Sequence, residues 1–248
     1  MMKPARAQAG FGLIELLVGI LIGLVILLAV YILFTQGLGA VNRIASIEAA
    51  WHDAKIAMLV MSNNTENSGY LMDLTQSGAI SPVVIAAESS AGTATQQLSV
   101  TTNASGSPLI STPSTVVWDI HWNTARQPTL RQTVTVGGVT TSQDYAAGVV
   151  AMRFQLSCAS STTQYYMACP GKASDARSVQ IALLIRTLSP DPSNKNTAVS
   201  AASYTFPDGT AYTVPTTRAW GCVNGNCTLY RHQMLVTEVP LRNLNWGL

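Results

Sequence analysis

The chain has 248 residues, of which 48% are hydrophobic and only 10% charged, and its formal net charge is +2. No basic run appears, which argues against an electrostatic nucleic-acid binder, because neutralising a phosphate backbone takes clustered Lys and Arg. GxSxG, HExxH and phosphate-loop patterns are all missing, so nothing in the sequence points to an enzyme or a cofactor.

The first predicted element begins at Phe11. Residues 16–34 pass without a charge, enough for a bilayer core, and a helix over 11–34 would rise roughly 36 Å. Glu15 sits at its start. A central acid in such a helix costs about 2.5–3.5 kcal/mol on insertion scales and one near the end costs less, but its presence still points to a role. Lys3 and Arg6 precede the span with no acid between them, and the next charge after it is Arg43. The positive-inside rule therefore puts the first ten residues in the cytoplasm and the bulk of the chain outside. A cleaved secretory signal is the competing reading, but its apolar region runs about 7–15 residues and does not open with an acid.

The run Gly10-Phe11-Gly12-Leu13-Ile14-Glu15 directly before that span resembles the processing motif of type IV prepilins and pseudopilins. The resemblance implies a leader over 1–10 that prepilin peptidase removes after Gly10, with Phe11 becoming an N-methylated first residue. It also implies that Glu15 pairs with the terminal amine of a neighbouring subunit. Lys3 and Arg6 would leave with the leader, and they account for the whole net charge of +2. Two later stretches, Ala176-Arg-Ser-Val-Gln-Ile-Ala-Leu-Leu-Ile-Arg-Thr187 and Val239-Pro-Leu-Arg-Asn-Leu244, are similar to segments of PilW-type minor pilins.

By resemblance, then, this is a minor pilin that primes type IV pilus assembly and sits at or near the tip. Its partners would be other minor pilins and pilus subunits, and its location the bacterial inner membrane, single-pass with a periplasmic globular part, and later the pilus. A minor pseudopilin of type II secretion, or a membrane-anchored adhesive or ligand-binding module, are the alternatives. No proline falls between Phe11 and Met61, so no proline kink is expected there, unlike in abundant major pilins.

The helix is expected to continue beyond the membrane. Ile44, Ile47, Trp51, Ala54, Met58 and Met61 share one stripe at 100° per residue, while Asn42, Ser46, His52 and Asp53 face elsewhere. Gly37 and Gly39 are candidate points for bending or melting, since glycine costs about 1 kcal/mol against alanine in a helix. Gly19 and Gly23 fit a small-xxx-small pattern for close helix approach. The polar cluster from Ser62 to Gly69 ends the element. The expected organisation is a leader over 1–10, a helix over 11–61 whose residues 11–34 cross the membrane, and a β-rich globular domain over 62–248. The fold class is α+β and pilin-like, with the second half of the helix packed on an antiparallel sheet.

From Tyr70 onward Thr, Ser, Val and Gly dominate in short alternating segments, which read as strands. Trp118, Ile120 and Trp122 are expected on one strand face. Val150, Met152, Phe154, Leu156 and Cys158 form a second, and Val179, Ile181, Leu183 and Ile185 a third. Thr133 to Thr141 reads as a hairpin turning at Gly137-Gly138. The last strand is expected over 229–239, closed by Pro240, and residues 86–115 as surface strands and loops with unclear ends.

Cys158, Cys169, Cys222 and Cys227 all follow the span, on the side where disulfides persist. Of three possible pairings, Cys158 with Cys169 and Cys222 with Cys227 close the shortest loops, the second around Asn224-Gly225. No cysteine spacing makes a zinc half-site, and His121 and His232 stand at no ligand spacing from them, so no metal is expected. His121 reads as a surface residue, His52-Asp53 as a solvated pair, and Asp191 and Asn194 lack the ordered spacing of a calcium loop.

Overall fold

The structure, a computed structural model, describes residues 12–70, 82–87, 96–103, 113–159, 165–169, 175–191, 198–216, 222 and 225–242. The chain divides into two compact units, Met1–Ile44 and Ala45–Leu248. One helix, α1 (Leu13–Glu66), contributes to both. It stays helical through Gly37 and Gly39, the candidate points for bending or melting, so no melting occurs there. The flanking residues are good helix formers, and no proline removes a ladder hydrogen bond.

Within the first unit the large apolar side chains of α1 are exposed, Leu33 at 69% and Ile44 at 53% among them. Ile44 is thus not part of the buried stripe. Within the second unit the helix buries Ala50, Ala54, Ala57, Met58 and Met61 in the main core, and Trp51 is half-buried. Ala50 and Ala57 were not in the predicted stripe. Their small side chains fit on the face turned to the sheets, where larger residues would hold the helix off.

The helix also runs to Glu66, five residues past the expected end at Met61. Thr65 is fully buried and its Oγ1 donates to the Met61 carbonyl at 2.8 Å, while Asn67 Nδ2 donates to the Asn63 carbonyl at 2.9 Å. These local bonds let the polar cluster continue the helix rather than compete with it. Gly69, at φ +72°, ends the turn that follows and gives its N–H to the Thr101 carbonyl at 2.9 Å.

The second unit holds two main antiparallel sheets. The first is a meander of β1 (Val83–Ala87), β2 (Gln96–Asn103), β3 (Pro113–Trp122), β4 (Pro128–Val136) and β5 (Val139–Ala147), in that order. The other uses β6 (Val149–Cys158), β7 (Tyr165–Tyr166), β8 (Ala176–Arg186) and β11 (His232–Pro240), ordered β11-β8-β6-β7. A small ribbon pairs β9 (Ser203–Thr205) with β10 (Ala211–Thr213). The β4–β5 hairpin turns at Gly137 and Gly138, with φ +56° and +84°, the positive pair that a type I′ turn requires.

Alternation along the strands fills one core between the sheets and the helix. Leu98, Val100, Trp118, Ile120 and Leu130 come from the first sheet, and Met152, Phe154, Val179, Ile181, Leu183 and Ile185 from the second. Trp118 is fully buried, its ring 5.1 Å from that of Tyr145. On the far side of the second sheet, Ala151, Ala182, Leu184 and Phe206 make a satellite cluster with Tyr204 and Tyr212 of the ribbon.

Four strand readings need correction. Residues 96–103, expected among surface strands and loops, form β2 and bury Leu98 and Val100 in the main core. Trp122 ends β3 and is 48% exposed, outside the core that its neighbours Trp118 and Ile120 enter. Val150 leaves the predicted face because a bulge between Val149 and Ala151 shifts the register, so Val149 points into the main core and Val150 toward the satellite cluster. The last strand begins at His232 rather than Leu229, since Cys227–Leu229 form a 3-10 turn capped by the Asn226 side chain.

Gly148 joins the sheets. Its N–H donates to the Pro128 carbonyl at 2.6 Å, and its own carbonyl accepts from Arg186 N–H at 2.7 Å. At φ +91°, it would place a Cβ 2.4 Å from the Arg186 carbonyl oxygen.

Candidate assembly site on the N-terminal helix

Gly10 and Phe11 lie outside the described residues. At the start of α1, Gly12 is the residue from which the helical ladder departs: its carbonyl accepts from Glu15 N–H at 3.0 Å and Leu16 N–H at 3.3 Å. Glu15 reaches back, its Oε2 accepting from Gly12 N–H at 3.3 Å. This is the reciprocal half of a capping box, with a carboxylate at the positive end of the helix. Glu15 is exposed, and the space beside Gly19 and Gly23 is open to at least 4 Å around a would-be Cβ. The first unit therefore presents an acid at one end, an apolar surface behind it and a two-glycine notch on that surface. The helix is long and apolar enough to cross a membrane by length and composition.

The globular unit uses its ionisable groups differently. Arg131 pairs with Asp119, Arg153 with Asp208 at 2.6 Å, Arg231 with Asp191 at 2.8 Å and Arg242 with Glu66 at 2.5 Å. His52 and Asp53 meet at 3.8 Å in solvent. His121 is half-buried rather than a free surface residue, its Nε2 3.4 Å from Asp144 across the face of the first sheet. The Asp191 side chain is 1% exposed and bonded to Arg231, so its carboxylate is neutralised by an arginine within the fold; Asn194 falls outside the described residues. Among the described residues no group of three His, Cys, Asp or Glu is placed to hold a metal.

Cys158 is joined to Cys169 and Cys222 to Cys227. The second bond packs beside a cluster that sequence reasoning missed: Arg186, at 2% exposure, stacks on Tyr230 with its guanidinium carbon 4.6 Å from the ring centroid. The only sequence signal for it is the arginine that ends the apolar run 179–185. Burial lowers the Arg186 pKa from its ordinary value, partly countered by the facing Tyr230 and Tyr212 hydroxyls. Burial also raises the Asp208 carboxyl. The Thr210 N–H at 2.9 Å, the Arg153 guanidinium and the Thr210 hydroxyl outweigh it and leave Asp208 below the usual carboxylate range.

Next to this cluster a concavity of about 190 Å³ opens between α1 and the end of the second sheet, lined by Ile47, Trp51, Arg186, Arg231 and His232 among others. Burial, reinforced by the charge of Arg186 and opposed by the Tyr230 carbonyl that His232 Nδ1 faces at 3.0 Å, lowers His232 to about 4. The folded protein thus keeps this ring neutral over a range in which the unfolded chain takes up a proton. Stability from His232 is complete above its ordinary pKa near 6.5 and drains as pH falls from there toward 4, by up to roughly 3 kcal/mol. Melting of wild type and His232→Gln at pH 7.5 and 4.5 checks this: the wild type should lose more on acidification than the variant, and equal losses would contradict the assignment.

Comparison with known proteins places both parts of the chain. Residues 5–31 match the prokaryotic N-terminal methylation motif. No curated protein matches. Among solved structures the chain is similar to the type IV-like pilin TTHA1219 from Thermus thermophilus, at 11% identity and a TM-score of 0.43, covering 78% of this chain and 97% of that one. Residues 117–243, more than half of the chain, match the model of the type IV pilus-assembly protein W, and they run from within β3 through β11, including the β8–β11 pair. The chain belongs to the type IV pilus-assembly protein W family.

Proposed function

We propose that this protein is a minor pilin that primes type IV pilus assembly and is carried near the fibre tip. It is made as a precursor, cut by prepilin peptidase after Gly10 and N-methylated on Phe11. The helix then spans the inner membrane, with the leader end cytoplasmic and the globular unit periplasmic. The observation that carries this reading is the joining, by one continuous helix, of a methylation motif over 5–31 to a pilus-assembly domain over 117–243.

The exposed apolar surface of α1 supports it, because such a surface is satisfied only by lipid or by the helices of other subunits. Glu15 gives the contact its polarity. Its carboxylate sits where the amine of a neighbouring Phe11 supplies the opposite charge, offsetting the desolvation of both. The type II secretion reading shares the leader and the helix, but the match over 117–243 is to a pilus-assembly family and favours the pilus.

Processing is tested by the intact mass of the membrane form. The proposal requires a chain that begins at Phe11 and carries one added methyl group, and a mass that includes Met1 to Gly10 rejects it.

A further inference from the structure

The two disulfides differ in what contacts their sulfurs. Cys158 is 1% exposed in the main apolar core with Cys169 half-buried against it, and among the described residues no cationic side chain contacts either sulfur. Cys222 is half-buried and Cys227 nearly fully buried, at the end of the second sheet. There Arg186 Nη1 contacts Cys222 Sγ and lies 3.6 Å from Cys227 Sγ. Tyr230 stacks on the guanidinium, and the Asn226 side chain holds the turn that begins at Cys227 through Thr228 N–H at 3.0 Å. A disulfide opens by thiolate attack on one sulfur and departure of the other as a thiolate, and the reaction is easier the better that departing charge is stabilised. A desolvated cation against the sulfurs supplies that stabilisation.

We propose that Cys222–Cys227 is a thiol–disulfide exchange site for a dithiol reductant of the C-x-x-C oxidoreductase class, with Arg186 holding the departing Cys227 thiolate. The reductant's thiolate attacks Sγ of Cys222, the more exposed residue of the pair. The S–S bond breaks, and its electron pair stays on Cys227 Sγ beside Arg186 Nη1. The reductant's second thiol then gives its proton to solvent and displaces Cys222, which leaves as a thiolate and is protonated. Two electrons pass to the protein, and the reductant becomes a disulfide. The turn itself remains tied to the fold, because the Thr228 carbonyl accepts from Val199 N–H and the Leu229 carbonyl from Asp191 N–H, both at 2.9 Å. The Cys227 side of the bond is therefore held in place beside Arg186 when the bond opens.

The test equilibrates the full chain in detergent with graded dithiothreitol buffers, traps thiols by alkylation and reads each cysteine pair by mass spectrometry. Cys222–Cys227 should open at least tenfold more readily than Cys158–Cys169, a difference of about 30 mV. Arg186→Gln should shrink that gap by about tenfold, while Arg186→Lys keeps most of it. Joint reduction of the two pairs, earlier opening of Cys158–Cys169, or an unchanged gap in Arg186→Gln overturns the proposal. Should Arg186→Gln fail to fold, the pH dependence of Cys227 alkylation in the reduced wild type decides. A midpoint below the ordinary thiol value of about 8.5 supports the site, and one at or above it rejects the site.

Discussion

Replacing Glu15 with alanine should leave cleavage after Gly10 intact and cut the number of assembled pili at least tenfold. The peptidase acts on the precursor, whereas the carboxylate matters when helices meet in lipid. An acid at the end of a membrane helix carries a cost of the order of 1–3 kcal/mol that a neighbouring amine offsets, and about 1.4 kcal/mol is already tenfold in an association constant. Alanine removes the acid and the cost together but leaves the neighbour's amine unpaired, which is the larger loss. Glu15→Gln separates two roles. It keeps an acceptor for the Gly12 N–H, so a purely capping role would leave it near wild type. An ion-pairing role makes it resemble Glu15→Ala. Counting fibres by electron microscopy beside immunoblots of the processed chain checks both parts, and wild-type piliation in Glu15→Ala would remove this residue from assembly.

Gly148→Ala should strongly destabilise the globular unit with a single methyl group. The backbone there stands at φ +91°, which L side chains rarely adopt, and the added Cβ would lie 2.4 Å from the Arg186 carbonyl oxygen and 3.4 Å from Leu188 Cδ2. The Leu188 contact is ordinary and the carbonyl contact is not. Arg186 belongs to β8, flanked on both sides by paired strands, and its own N–H is bonded to the Gly148 carbonyl, so neither backbone can retreat without losing that bond. Conformational strain and the clash together should exceed about 3 kcal/mol, which for a domain of this size lowers the melting temperature by roughly 6–12 °C. Thermal unfolding of the full chain in detergent reads the effect, and a melting temperature within a degree of wild type would contradict this account of the sheet junction.

The parts of the fold that were legible in the sequence are those governed by local periodicity. Val179, Ile181, Leu183 and Ile185 alternate strictly, and all four lie in the core. Gly137 and Gly138 supply the two positive φ angles, and the hairpin turns on them. What the sequence hid depends on partners distant in the chain. The helix buries Ala50 and Ala57 in the core shared with both sheets, and no hydrophobicity scale singles out an alanine for burial. The bulge at Val149 moves Val150 off the predicted face, since pattern reading assumes an uninterrupted period of two. Thr65 continues the helix that its composition seemed to end, because its hydroxyl is satisfied by the Met61 carbonyl.

The candidate site divides in the same way. Glu15 stood out as a single acid beside a long uncharged run, a contrast visible along the chain alone. The Arg186, Tyr230 and Cys222–Cys227 cluster did not, because it joins the end of β8 to a turn some forty residues later. Asp191 reads in the sequence only as a turn former without the spacing of a calcium loop, and its actual partner, Arg231, lies forty residues on and could not be read from the chain alone.

Placement among pilus subunits is the central claim, and cross-linking in native membranes tests it most directly. A photoreactive residue at Leu24, exposed on the apolar surface of α1 beside Gly23, should yield adducts whose second component is another type IV pilus subunit. Adducts confined to components of a secretion system, or to lipid alone, would contradict it.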